Sequence, residues 1–306
     1  TIPVILDIVR RMERLCPDAW LINFSNPSGM VAEAVLNHTN IKMIGLCNNA
    51  INMYRGVYDR YGTRELEIEY LGLNHLTWMT GIRKDGRDFL QEALAEGYTG
   101  EMNKNIPDVG FDLECLKMAG GIPCGYLTYY YYRNAQLEKL KNAERSRGEV
   151  CEDIEKDLLK MYEDAELHVK PDLLNKRGGA LYSEAANSLV DSLVNSQGDM
   201  HVVNTKNRGA LDFMAYDDVV ELPALVGGGK VEPIPVKGFE NQHIIGLMRT
   251  VKAYEKHAVR AAITGSRTEA LRAMAIHPLI GDFTAASKCF DEMLMAHKEY
   301  LPQFFK

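Results

Sequence analysis

Hydrophobic and polar positions change period three times within the first fifty residues. Pro3 to Leu15 carries apolar residues at helical spacing, and Ala19 to Ser25 is a short apolar run of strand type. Helical spacing returns over Ser28 to Asn37, and Ile41 to Cys47 is a second apolar run. Helix and strand in alternation predict a parallel α/β sheet. Both runs end in polar clusters, Asn23-Phe24-Ser25-Asn26-Pro27 and Cys47-Asn48-Asn49. Asn26 and Cys47 are therefore expected at carboxyl ends of strands, where open α/β sheets bind their ligands.

After a helix over Ala50 to Tyr61 the pattern changes. Leu66 to Ile82 has strand character and Lys84-Asp85-Gly86-Arg87 reads as a hairpin turn, so an antiparallel sheet is expected to begin here. Helices are predicted over Asn134 to Arg147, Glu152 to Leu167 and Tyr182 to Asn195, followed by a strand over His201 to Asn204. Three amphipathic helices are predicted over Gln242 to Thr264, Arg267 to Ile276 and Thr284 to Tyr300. Gly227-Gly228-Gly229 sits between a Leu-Pro-Ala-Leu segment and Pro233, which predicts a turn and not a phosphate loop opening a helix. The expected architecture is α/β. Residues 1–62 read as the carboxyl side of a Rossmann-like parallel sheet, and 63–306 as an α+β domain with antiparallel strands and long helices. A nucleotide-binding sheet opens with a strand and a glycine-rich turn. Neither precedes the first helix, so the amino-terminal strands of that sheet are expected to be absent.

Charge narrows the partners. The 306 residues carry a formal net charge of -7 and no run of Lys and Arg, which argues against a nucleic-acid track or an anionic membrane surface. No apolar stretch approaches the roughly 20 residues of a membrane span, and the first residues lack the basic and small-residue features of a signal peptide. A cytoplasmic protein acting on small molecules is expected. The 6 cysteines form no CxxC pair in a chain too large to need a disulfide framework, so reduced thiols are expected.

Several residues are candidates for chemistry, and each has a plain structural alternative. Cys47 and His75 both stand beside polar neighbours, in Gly45-Leu46-Cys47-Asn48 and Gly72-Leu73-Asn74-His75. A thiolate and an imidazole can hold a borderline divalent metal while leaving positions for substrate oxygens. Core packing is the alternative for both. Tyr182 follows Arg177-Gly178-Gly179 at a helix start, where a phenol near positive charge can act as a base. A packing tyrosine with its hydroxyl bonded is the alternative. Asn204-Thr205-Lys206-Asn207-Arg208-Gly209 offers two cations and two amides, a sugar or anion site or else a solvated loop.

Taken together, these segments resemble the family 4 glycoside hydrolases in order and spacing. The resemblance is carried by Asn23 to Pro27, Gly45 to Asn48, Leu73 to Leu76, Arg177 to Ser183, Val203 to Asn207 and Val220-Glu221-Leu222-Pro223, and it extends through Ala273 to Leu279 and His297 to Pro302. It implies that Cys47 and His75 ligate manganese or a similar divalent metal. It also implies that Tyr182 removes the proton at sugar carbon 2, that Asn26 contacts substrate, and that Lys206 is the substrate-contacting basic residue. Asn48 stands where the 6-phospho-β-glucosidase branch commonly has Asn and the α branch Asp, which implies a 6-phospho-β-glucoside bound in part by Asn48. Arg208 departs from the family, where a second Asn is common. The implied reaction uses NAD to oxidise carbon 3, eliminates the group at carbon 1, adds water and returns the hydride, outside the usual two-carboxylate scheme. A homodimer or homotetramer is implied as well.

Two other readings start from the same residues. A 2-hydroxy acid dehydrogenase of the lactate and malate type shares the Asn-Pro strand end, but needs a catalytic His with an Asp partner and substrate-binding Arg residues, which Leu-Asn-His-Leu with an upstream Cys fits poorly. A catalytically incomplete fragment would bind metal without turnover.

Overall fold

The computed structural model describes residues 1–99, 109–177, 182–195 and 197–306. The strands are β1 (Trp20–Asn23), β2 (Lys42–Gly45), β3 (Glu67–Leu73), β4 (Leu76–Lys84), β5 (Arg87–Asp88), β6 (Ile122–Pro123), β7 (Gln197–Lys206), β8 (Val219–Gly227) and β9 (Lys230–Pro233). All nine join one sheet in the order β1-β2-β7-β8-β3-β4-β5, with β6 on β4 and β9 on β8. Only β1 and β2 are parallel, from Trp20↔Lys42 to Asn23↔Gly45. β2 then meets β7 antiparallel at Gly45↔Asn204. The parallel and antiparallel regions expected from the sequence are thus one continuous mixed sheet.

Two apolar layers clamp the parallel edge. Val9, Val31, Val35 and Met43 pack with Val259 of the helix Gln242–Thr264 on one face. Ile44 and Val203 pack with Leu189 and Leu193 of the helix Tyr182–Asn195 on the other. Met43 and Ile44 belong to opposite layers because successive strand side chains alternate faces. The largest core lies on the antiparallel side, where Tyr70, Trp78 and Met79 are buried against Leu116, Leu127 and Met248. Among the described residues no helix is long and apolar enough to cross a membrane.

The segment of strand character over Leu66 to Ile82 is a hairpin, turned at Asn74 and His75 between β3 and β4. No glycine or proline marks the turn; His75 itself adopts φ 65°, a left-handed conformation costly for a side chain of its size. The expected turn at Lys84-Asp85-Gly86-Arg87 is present, with Asp85 at φ 50° and Gly86 at φ 78°. The expected helix Asn134 to Arg147 is broken after Lys141, and a second helix runs Arg147–Met161. Ser146 causes the restart: its hydroxyl accepts the Glu149 amide while the Glu149 carboxylate accepts the Ser146 amide, a capping box. β7 extends well beyond the short strand expected at His201 to Asn204 because β8 pairs along nearly all of it.

Gly45 ends β2 where three elements converge. A Cβ there would stand 2.7 Å from Ser28 Oγ and 2.9 Å from Asn204 Cβ. Gly45→Ala is expected to cost about 1–3 kcal/mol, the usual penalty for overpacking. Chemical denaturation measures it, and an unchanged midpoint would show that the strand and helix can separate freely.

Candidate active site

Three chain segments and one helix start meet beyond the carboxyl ends of β1 and β2. β1 leads to Asn26 and a cis Asn26–Pro27 peptide before the helix Ser28–His38. Buried Asn23 shapes that turn, donating to the Ser25 carbonyl at 2.9 Å and accepting the Ser25 amide at 3.2 Å. β2 leads to Cys47, the cap of the helix Asn48–Tyr61, whose Sγ accepts the Asn49 amide at 3.5 Å. The β3–β4 turn supplies Asn74 and His75. Tyr182 begins the helix Tyr182–Asn195; Gly178 and Gly179, read as its preceding turn, lie outside the described residues.

Asn74 ties these pieces together. Its Oδ1 accepts the Ser28 amide at 3.1 Å, its Nδ2 donates to Glu221 Oε2 at 2.9 Å, and its amide favours the ionised form of Cys47. Glu221, 1% exposed, accepts two further bonds, from Tyr70 Oη at 2.8 Å and Asn204 Nδ2 at 2.8 Å. The His75 ring stacks on Tyr126 at 4.0 Å between centroids, and Cys124 Sγ donates to the His75 carbonyl at 3.4 Å. Tyr182 packs edge-on against Phe24 at 5.0 Å, and the Asn26 side chain favours its ionised form. The structure therefore brings Asn26, Cys47, His75 and Tyr182 into one neighbourhood, with buried Asn48 beside Cys47 at the helix start.

The electrostatics of this cluster are adverse to its own anions. Burial pushes the Cys47 thiol up, and the Glu221 charge adds to it, against the Asn49 amide and the Asn74 side chain. Burial likewise raises Tyr182, reinforced by Cys47 and opposed by Asn26 and Arg177. It raises Glu221 despite three hydrogen bonds. His75 is pushed down to about 4 by burial and is neutral near pH 7. A divalent cation would reverse the penalty on each anion and needs a neutral imidazole. Among the described residues no three His, Cys, Asp or Glu form a metal-holding group. Cys47 and His75, as expected ligands, would supply two donors and leave the remaining positions for substrate oxygens.

Lys206 is not part of the cluster. β7 runs antiparallel to β2, so the step from Asn204 to Lys206 leads back toward the amino end of β2, away from Cys47. There Lys206 lines a cavity with Trp20, Lys42, Arg208 and Lys230, and pairs with Asp217 at 3.5 Å. The neighbouring Asn207 is buried and holds a loop, donating to the carbonyls of Leu211, Met214 and Ala215. Only Asn204 of this segment joins the site. Sequence reasoning assigned no role to Glu221, although one signal was present: an acid inside the apolar run Val219-Val220-Glu221-Leu222.

The family 4 glycosyl hydrolase model matches residues 1–62, and the model of that family's C-terminal domain matches 70–280. This chain belongs to glycosyl hydrolase family 4. Within the family it is 40% identical over 314 residues to a probable 6-phospho-β-glucosidase of Bacillus subtilis, covering 100% of this chain and 71% of the relative. The 6-phospho-β-glucosidase of Thermotoga maritima, solved with NAD and glucose-6-phosphate, superposes with a TM-score of 0.88 at 31% identity, covering 98% of this chain and 71% of that one. A second structure of that family 4 enzyme, with manganese, NAD+ and glucose-6-phosphate, superposes with a TM-score of 0.86 at 31% identity.

Proposed function

We propose that this family 4 chain serves the hydrolysis of 6-phospho-β-glucosides with NAD and a divalent metal such as manganese. The observation that carries the reading is the convergence of Tyr182, Cys47 and His75 around buried Asn74 and Glu221. The names and bound ligands of the relatives, 6-phospho-β-glucosidases with NAD, manganese and glucose-6-phosphate, support it.

Cys47 and His75 would hold the metal. When bound, the metal polarises the oxygens at sugar carbons 2 and 3, and NAD is the hydride acceptor and donor at carbon 3. Tyr182 takes the proton from carbon 2, with the Asn26 side chain favouring its ionised form. Asn48 is an amide beside Cys47, suited to hydrogen-bond a sugar hydroxyl and unable to serve as an acid. No residue of this chain is assigned to NAD, because the turns after β1 and β2 contain no glycine-rich phosphate loop.

The test is nitrophenol release from a 6-phospho-β-glucoside by this chain with manganese and a thiol reductant, with and without NAD. Release that depends on NAD is expected. Equal release without NAD, or none with it, would overturn the reading for this chain.

A further inference from the structure

Five acids in the described structure are buried, and four of them have a cationic partner. Glu33 and Glu255 pair with Lys252, Asp218 with Lys256, and Glu269 with His257, Arg260 and Arg272. Among the described residues, no Lys, Arg or His pairs with Glu221. Its three donors, Tyr70, Asn74 and Asn204, are all neutral. A carboxylate taken out of water on neutral donors alone keeps much of its desolvation cost, and folded proteins relieve that cost with a paired charge or a bound metal.

The same carboxylate sets geometry. Because Glu221 can only accept while ionised, it turns the Nδ2 of Asn74 toward itself and leaves Oδ1 facing the Ser28 amide. That single amide orientation links the turn after Pro27 to the hairpin turn in which His75 holds φ 65°.

We propose that Glu221 is a positioning carboxylate of the metal centre: through Asn74 it fixes the turn that presents His75, and its unpaired charge, with the Cys47 thiolate, balances a divalent cation. This rests on the reading of Cys47 and His75 as metal ligands given above. Glu221 itself stands behind them, as carboxylates that orient ligands do in other metal sites.

Glu221→Gln isolates the charge. The glutamine carbonyl can accept from Asn74 and Asn204 while its amide donates to Tyr70 Oη, so all three bonds have a counterpart. Binding is measured by titrating Mn2+ into the whole chain and following free Mn2+ by electron paramagnetic resonance, with thermal melts before and after metal. Wild type is expected to bind Mn2+ and Cys47→Ser to lose it. Glu221→Gln is expected to bind about 10–100-fold more weakly. Its metal-free melting temperature should be equal to wild type or higher, and its gain on adding Mn2+ smaller. Wild-type affinity in Glu221→Gln, alongside loss in Cys47→Ser, would overturn the role of Glu221 and leave the metal reading standing. A metal-free Glu221→Gln that melts lower or fails to fold would also overturn it, assigning the carboxylate to the fold. No binding by wild type, or full binding by Cys47→Ser, would remove the metal reading itself and the proposal with it.

Discussion

Tyr182→Phe is expected to slow exchange of the carbon 2 hydrogen of a 6-phospho-β-glucoside with solvent by about 10²–10⁴-fold, the usual worth of a positioned acid or base. The substitution removes one oxygen and little else. The edge contact of the ring with Phe24 survives, and the helix Tyr182–Asn195 keeps its first residue's bulk. The lost atom is the one whose ionisation Asn26 favours and Cys47 and Glu221 oppose. Burial, with negative charge at Cys47 and Glu221 adding to it, raises the phenol in the metal-free protein, so its service as a base depends on an offsetting positive charge, from Arg177 and from a metal at Cys47. Deuterium incorporation at carbon 2 in heavy water, with NAD and Mn2+ present, measures the effect, and Mn2+ affinity serves as the control. Exchange retained at the wild-type rate would remove Tyr182 from the role of base. Loss of exchange together with loss of Mn2+ would assign the hydroxyl to the metal instead.

The largest stability effect is expected from Lys252→Met. Lys252 is buried in the helix Gln242–Thr264, with Nζ 3.0 Å from Glu33 Oε2 and in contact with Glu255. Burial alone would push its ammonium down, but the two carboxylates outweigh that and hold it above its ordinary value. Glu33 is further engaged by the Val219 amide at 2.9 Å and Asn37 Nδ2 at 2.8 Å, so the cluster joins two helices to the start of β8. Glu255 lies under the helix that follows Asn26-Pro27, its Oε1 3.4 Å from where a Cβ on Gly29 would stand. Methionine keeps the length of the lysine and removes its charge, leaving two buried carboxylates without a cation, at a cost of about 3–5 kcal/mol.

The loss should depend on pH in a definite direction. Glu255 already has its carboxyl raised by burial, with the Lys252 ammonium opposing the shift. Without that ammonium the folded protein holds the proton more tightly still. A group whose folded state binds more protons than its unfolded state loses stability as pH rises through the interval between the two. The penalty of Lys252→Met should therefore be full at neutral pH and shrink as pH falls toward the ordinary carboxylate range. Chemical denaturation at several pH values tests this. A cost below about 1 kcal/mol, typical of an exposed pair, would show that water reaches the cluster.

Periodicity carried most of the local structure. The alternating segments up to Tyr61, the turn at Asp85-Gly86 and the helices Gln242–Thr264 and Arg267–Ile276 follow from apolar spacing and from turn residues that act over a few positions. The hairpin at His75 was not legible, because its left-handed residue is neither glycine nor asparagine. The break before Ser146 was written in the Ser-x-x-Glu cap, a signal that the apolar spacing around it obscured.

The candidate site divides along the same line. The sequence by itself determined that Asn26 and Cys47 end parallel strands and, through its resemblance to family 4, which side chains to examine. Those features depend on neighbours in the chain or on residue types in order. Tertiary structure alone decided that Asn204 reaches the site while Lys206 does not, since that depends on β7 running antiparallel to a strand about 160 residues earlier. It alone decided that, among the described residues, Glu221 is the buried acid without a protein cation, because a charge's worth depends on what folding brings to within a few ångströms of it.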